Sequence, residues 1–177
     1  MTTMMILACI AILAMSDPTA AASPVAPLSQ QPSIVAESLP EGATRHIFRH
    51  KGMEREYILY RPAGLRENAP LVLVLHGYGG RAMKSGAGMN RIADKEGFAV
   101  CYPQGALDGR GKTCWNVGYP FQKGLKTDDV DFLMKLATRL CRDNGFDRRN
   151  VFLTGMSNGG EMCYLMAYTH PEFFNAI

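Results

Sequence analysis

The feature that most restricts the fold of this chain is a glycine-rich turn near its C-terminal end. Residues 151–154 form a short apolar run typical of a buried strand, and residues 161–168 have helix-like character. Between them lies Gly155-Met156-Ser157-Asn158-Gly159-Gly160. Glycines two positions before and after Ser157 provide the room that a very sharp strand-to-helix turn requires. The pattern therefore predicts a serine hydroxyl lifted above a sheet, next to a helix N-terminus.

A serine in this setting predicts nucleophilic catalysis. We interpret the turn as a nucleophile elbow and Ser157 as the nucleophile, with the amide of Asn158 as one donor of an oxyanion hole. A second glycine-rich segment, His76-Gly77-Tyr78-Gly79-Gly80, follows an earlier apolar run, and we expect the amide of Tyr78 to be the other donor. We expect His76 to brace this loop, because the catalytic base of such proteins usually comes late in the chain.

The remainder of the chain after residue 44 alternates strand and helix signals. This alternation predicts an α/β protein with a mainly parallel sheet and helices on both faces. The apolar runs at residues 71–75 and 98–102 predict strands buried on both faces, after an earlier strand at residues 56–61. Helices are predicted near residues 89–96 and from Asp128 to Gly145. Residues 104–126 are predicted to be a long irregular loop, which hints at a function or a surface insertion.

The N-terminal part of the chain has a different composition. Residues 1–22 contain an apolar stretch followed by a run of alanines, which predicts a cleaved signal peptide and a secreted or periplasmic protein. The stretch is too short for a membrane span, and too few residues precede Cys9 for it to accept a lipid. Residues 23–44 are rich in Pro, Ala and Ser and are predicted to be a linker before a domain at 45–177. The 19 basic and 16 acidic residues are scattered, so we expect no nucleic-acid partner.

Other candidate residues have two interpretations. Trp115 either lines a substrate cleft or packs in the core beneath the long loop, and the sequence does not choose between them. The carboxylates of Asp128, Asp129 and Asp131 stand at a helix start, where capping and dipole compensation are expected rather than a metal site. Without the signal peptide, four cysteines remain, with three possible full pairings: Cys101, Cys114, Cys141 and Cys163.

With these motifs in place, residues 45–177 resemble the polyhydroxybutyrate depolymerase and feruloyl or acetylxylan esterase family of secreted α/β-hydrolases. The resemblance is carried by the two glycine-rich segments and by Arg61-Pro62, Tyr102-Pro103-Gln104-Gly105, Cys114-Trp115-Asn116 and Asp128-Asp129-Val130-Asp131-Phe132. It implies the α/β-hydrolase fold and an acyl-enzyme on serine. It also implies a Ser-Asp-His triad without metal or cofactor, and a polyester or acylated plant polysaccharide as substrate.

The triad partners of Ser157 are missing from this chain. Only Glu161, His170 and Glu172 follow the serine as candidates, and all lie on the predicted elbow helix or at its end. His170 precedes a proline and is expected to be structural. We therefore expect an α/β-hydrolase domain that is truncated after the elbow helix. The alternatives are a non-catalytic hydrolase fragment and, less favoured, a serine peptidase on the same scaffold.

Residues 23–177 alone are predicted to have little or no esterase activity. Ser157 is a weak nucleophile at its free pKa and needs an adjacent base, which this chain does not supply. The test is thermal unfolding of this segment combined with hydrolysis of a small activated ester. Cooperative unfolding together with turnover that depends on Ser157 and matches ordinary esterases would contradict the prediction, and His170 would then be the first base to examine.

Overall fold

The computed structural model describes residues 38–86 and 88–177. The predicted signal peptide and most of the predicted linker lie outside these residues. The strands are β1 (Ala43–His50), β2 (Met53–Tyr60), β3 (Leu71–Leu75), β4 (Ala99–Pro103), β5 (Ala106–Leu107), β6 (Thr113–Cys114) and β7 (Val151–Gly155). The α-helices are α1 (Met89–Glu96), α2 (Asp129–Asn144) and α3 (Asn158–Thr169).

Five of the strands form one mixed sheet in the order β1-β2-β4-β3-β7. The pairs β1–β2 and β2–β4 are antiparallel, whereas β3 pairs in parallel with both β4 and β7. The predicted strands and helices at residues 56–61, 71–75, 89–96, 98–102 and 151–154 are all confirmed within a few residues. Strand β1 was not predicted, because its side chains are mostly exposed or half-buried and lack an apolar run.

Helices cover both faces of this sheet, as predicted. Alternate residues of a strand point to opposite faces, so β3 contributes Leu71, Leu73 and Leu75 to one core and Val74 to the other. The first core also contains Phe132 from α2 and the apolar side of α3. The second is closed by α1. Strand β3 is therefore buried on both faces, and its C-terminal end is fixed at the level where the two glycine-rich segments meet.

Helix α2 begins and ends as its sequence predicts. The side chain of Asp128 accepts a hydrogen bond from the amide of Asp131, which is an N-cap, and Gly145 ends the helix in the left-handed conformation with φ 69°. Lys51 and Lys135 both contact the Asp131 carboxylate. The His50 ring, which bonds the same carboxylate, has the largest effect in lowering the pKa of Asp131, and the two lysines lower it further. The capping interpretation is thus confirmed for Asp128.

The carboxylate of the neighbouring Asp129 takes part in a buried ion pair and not in the N-cap of the helix. Its carboxylate is fully buried and lies 2.6 Å from the Arg55 guanidinium, which is 3% exposed. The other carboxylate oxygen accepts a hydrogen bond from the amide of Asn116 at 2.8 Å. Arg55 also donates to the carbonyl of Gln104 and lies 4.0 Å from the ring centre of Phe132. One ion pair therefore joins β2, α2 and both ends of the segment between Gln104 and Asn116.

The segment at 104–126 is more ordered than the sequence predicts. Strands β5 and β6 form a small antiparallel pair, and Pro120–Gln122 is a short 3-10 helix. Much of its order comes from side chains that bond the main chain, a device that periodicity does not reveal. Asp108 accepts from the amides of Arg110 and Lys112, and Gln122 accepts from those of Val117 and Tyr119.

The four cysteines of the described part of the chain are all free thiols, and all are buried. Burial raises the pKa of Cys163 to about 12 and raises the pKa of Cys101 well above its usual value. These thiols are therefore packing residues in this fold, and none of the three possible disulfide patterns is formed.

The last residues of the chain extend the sheet beyond β7. The amide of Asn175 donates to the carbonyl of Val151 at 2.8 Å, and the amide of Leu153 donates to the carbonyl of Ala176 at 3.1 Å. These bonds make a parallel bridge between Phe152 and Ala176.

No helix among the described residues has the length and apolar content that crossing a bilayer requires.

Replacing Asp129 with Ala is predicted to destabilise the fold by about 3–5 kcal/mol, because it leaves the Arg55 charge buried without its partner. The free energy of unfolding would be measured by chemical denaturation. Asp143→Ala is the matched control, since Asp143 lies on the same helix but pairs with Arg139 and Arg142 at the surface. We expect a much smaller loss for the control. Equal losses for both variants would show that the buried pair has no special weight.

Candidate active site

The predicted elbow is present at the junction of β7 and α3. Ser157 has φ 51° and ψ −123°, a backbone conformation that residues other than glycine rarely adopt. The residue is exposed, whereas Asn158 and Gly159, which follow it, are buried. The carbonyl of Ser157 accepts the first hydrogen bond of the helix, from the amide of Glu161 at 2.9 Å. Ser157 therefore sits on a strained turn at the surface, at the N-terminus of α3.

Two glycines make this turn possible. A Cβ atom on Gly155 would lie 2.5 Å from the carbonyl carbon of Gly159. A Cβ atom on Gly159 would lie 2.6 Å from the carbonyl oxygens of both Leu75 and His76, which belong to the end of β3 and the residue after it. These contacts involve main-chain atoms, which cannot move aside as a side chain can. The first turn of α3 is thus pressed directly against the backbone that follows β3.

The second glycine-rich segment passes beside the serine. A Cβ atom on Gly77 would lie 3.3 Å from the carbonyl oxygen of Met156 and 3.5 Å from the Cβ atom of Ser157. Tyr78 is the next residue, and its amide donates no hydrogen bond within the described part of the chain. Asn158 is the first residue of α3, where an amide has no acceptor inside the helix. The structure therefore brings Ser157, Tyr78 and Asn158 together.

His76 lies under this loop with both ring nitrogens engaged. Its Nδ1 lies 2.7 Å from the carbonyl oxygen of Gly77, and its Nε2 lies 2.9 Å from the amide nitrogen of Gly105. A carbonyl can only accept and an amide can only donate, so the proton is on Nδ1 and Nε2 is the acceptor. Burial lowers the pKa of His76, which favours this neutral form. The geometry is that of a bracing residue, as expected from its position in the sequence.

Trp115 is in the core and not in a cleft. Its side chain is fully buried, and its indole N–H donates to the carbonyl of His76 at 2.9 Å. The main-chain amide of Trp115 donates to Oδ1 of Asn158 at 2.8 Å. Of the two interpretations of Trp115, the substrate-cleft one is therefore wrong for this structure. Its contacts with Asn158 were not predicted, because the two residues are far apart in the sequence.

No described residue is placed to accept the proton of Ser157. His170 is the C-cap of α3, at the opposite end of a helix of 12 residues. At 1.5 Å per residue, this separation is roughly 18 Å along the helix axis. Glu161 lies within the first turn, but its carboxylate is 3.4 Å from Nδ2 of Asn158 and accepts from the hydroxyl of Tyr119, whose pKa it raises. His170 is thus too far from Ser157 to accept its proton in this fold.

An aromatic ledge, formed by Tyr78, Tyr119 and Phe121, borders the loop and the elbow. Tyr78 and Phe121 are each 40% exposed and meet edge to face, with ring centres 5.8 Å apart. Tyr119 stacks on Phe121 at 5.3 Å. The hydroxyl of Tyr78 donates to Asp108 at 2.6 Å. The ledge connects the Tyr78 loop to the first turn of α3, where the hydroxyl of Tyr119 bonds Glu161.

Comparison with known proteins agrees with this geometry. The family model for the esterase PHB depolymerase matches residues 55–177. The chain is 33% identical to NocK, a proposed esterase from Nocardia uniformis subsp. tsuyamanensis, over 95% of this chain and 54% of that protein. It is 32% identical to acetylxylan esterase A of Talaromyces purpureogenus, over 67% of this chain and 31% of that protein.

Solved structures show the same fold. The acetyl xylan esterase from Aspergillus awamori superposes with a TM-score of 0.62 at 23% identity, covering 75% of this chain and 50% of that chain. The fold is thus the α/β-hydrolase fold, as predicted. The present chain spans about half the length of NocK and of this solved relative, and less of acetylxylan esterase A. The match of the family model over residues 55–177 shows that the chain belongs to the esterase PHB depolymerase family.

Proposed function

We propose that the protein is a carboxylic ester hydrolase that acts through an acyl-enzyme on Ser157. The observation that carries this proposal is the conformation of Ser157, with φ 51° on an exposed turn between β7 and α3. A strained conformation costs of order 1–3 kcal/mol and persists at sites where it serves function. Here it occurs at an exposed residue whose Cβ atom lies beside Gly77, at the start of the Tyr78 loop.

The chemistry proceeds in two steps. Oγ of Ser157 attacks the ester carbonyl carbon, its proton passes to a general base, and the alcohol leaves with a proton. Water then attacks the acyl-enzyme and releases the acid. In both steps the carbonyl oxygen becomes an oxyanion, which the amides of Tyr78 and Asn158 stabilise. Each such donor contributes about 3 kcal/mol in comparable enzymes.

The general base belongs to a segment that follows α3 in this proposal. His76 has no free nitrogen, since Gly77 and Gly105 bond both, and His170 lies at the far end of α3. In α/β-hydrolases the chain order is serine, then an acid, then histidine. An Asp and a His beyond α3 would therefore complete the triad. No metal or organic cofactor takes part.

The substrate that we propose is a polyester or an acylated plant polysaccharide, and the protein acts outside the cytoplasm. The aromatic ledge supports a substrate with an apolar or ring-shaped group, because ring faces gain by stacking against it. One similar protein is named acetylxylan esterase A, after an activity on an acylated plant polysaccharide. The residues 1–22, which are predicted to be a signal peptide, support export.

Ser157→Ala is predicted to lower kcat for p-nitrophenyl acetate by about 10⁴-fold or more, because the nucleophile is removed. The assay requires a protein that carries this chain together with the rest of the family's domain. Labelling by a fluorophosphonate probe should be lost in parallel. Thr169→Ala is the control, since it removes an exposed hydroxyl from the other end of α3. Near-normal hydrolysis by Ser157→Ala would place the nucleophile elsewhere.

A further inference from the structure

Trp115 contacts both sides of the proposed oxyanion hole. Its indole N–H donates to the carbonyl of His76 at 2.9 Å, on the side of the Tyr78 loop. Its main-chain amide donates to Oδ1 of Asn158 at 2.8 Å, and its carbonyl accepts from Nδ2 of Asn158 at 3.1 Å, on the side of the elbow. All three residues are buried, with exposures of 0% for Trp115, 1% for His76 and 3% for Asn158. Water therefore does not compete for these bonds.

The pairing between Asn158 and Trp115 requires an asparagine. One planar amide group donates to the carbonyl and accepts from the amide of the same residue, so both ends of the side chain are used. An aspartate would lack the donor and an alanine would lack both groups. The pairing fixes the side chain of the residue whose own amide is the proposed donor. A fixed side chain limits the motion of its Cα atom, and thereby the direction of the adjoining N–H.

The carbonyl of His76 is fixed from two directions. The indole N–H of Trp115 bonds it, and Gly159 lies so close that a Cβ atom there would be 2.6 Å from the same oxygen. The His76 ring is separately fixed by the amide of Gly105. The peptide group that leads into Gly77 and Tyr78 therefore has little freedom. Its position is set by the same tryptophan that holds Asn158.

We propose that Trp115 and the side chain of Asn158 form a brace that sets the position of the Tyr78 and Asn158 amides relative to each other. This inference rests on the proposed function. Neither side chain touches the reacting atoms, so both are positioning residues that act through main-chain donors. An oxyanion hole depends on donors placed for the transition state. Loss of the brace should therefore weaken transition-state binding and leave ground-state binding of the ester nearly unchanged.

The experiment uses Asn158→Ala and Trp115→Phe in a protein that carries this chain and the rest of the family's domain. Asn158→Ala keeps the main-chain amide, and Trp115→Phe keeps an aromatic ring but removes the indole N–H. For each variant, kcat and KM are measured with p-nitrophenyl acetate. The affinity for a trifluoromethyl ketone, which forms an oxyanion on the serine, is measured in parallel. We expect kcat to fall about 10- to 100-fold, KM to stay within about twofold, and inhibitor affinity to fall with kcat.

A matched control separates positioning from stability. Asn150 is a half-buried asparagine at the opposite end of β7, and its Nδ2 donates to Asp147 at 2.8 Å. Asn150→Ala should lower the melting temperature without changing kcat or inhibitor affinity. In the double variant of Asn158 and Trp115, the fold-decrease in kcat should be smaller than the product of the two single decreases. Both substitutions disrupt the same brace, so their effects overlap.

The outcomes distinguish this inference from the proposed function. If Ser157→Ala remains active, the proposed function itself fails. If Ser157→Ala is inactive while Asn158→Ala and Trp115→Phe fold and keep both kcat and inhibitor affinity, the brace is refuted and the function stands. If Asn158→Ala does not fold, Trp115→Phe decides by the same two measurements, because it keeps an aromatic ring in the core and keeps both bonds between Asn158 and the main chain of residue 115.

Discussion

The whole arrangement depends on how closely the first turn of α3 approaches the end of β3. Gly159 rests on the carbonyl oxygens of Leu75 and His76, and Gly155 rests on Gly159, with no space for a single methyl group at either contact. Such close packing of main chain on main chain is available only to glycine. It places the elbow and the Tyr78 loop at one level of the sheet. The exposed serine, the two amides and the aromatic ledge all take their places from this contact.

A second layer of interactions holds the long connecting segment against that contact. The buried pair of Arg55 and Asp129 bonds the Gln104 carbonyl and the Asn116 amide, so the segment is anchored at two points. Trp115 precedes one of these anchors and bonds to both sides of the site. A buried ion pair is weak evidence for net stability. Its value here lies in fixing where the segment runs, which hydrophobic packing alone leaves less definite.

The sequence was sufficient where local rules decide the structure. The apolar run of β3, the caps of α2 and the glycine spacing at Ser157 each follow from short-range chemistry, and all were predicted. Residues 104–126 were predicted to be irregular, because their order comes from Gln122, Asp108 and other side chains that bond nearby main-chain groups, which leaves no apolar periodicity. The role of Trp115 was ambiguous for a different reason, because its partners are distant in the sequence. The pattern of apolar residues along the sequence predicts neither the burial of Trp115 nor its bond to a partner 43 positions away.

The backbone of Ser157 has an evolutionary consequence. At φ 51° and ψ −123° a glycine would be relaxed, whereas serine carries strain of order 1–3 kcal/mol. Selection for thermal robustness alone would favour glycine at this position. Serine at this turn marks a compromise between robustness and reactivity, which is common in enzymes. A glycine at this turn would relieve the strain and remove the hydroxyl, so thermal robustness and reactivity place opposite demands on this one residue.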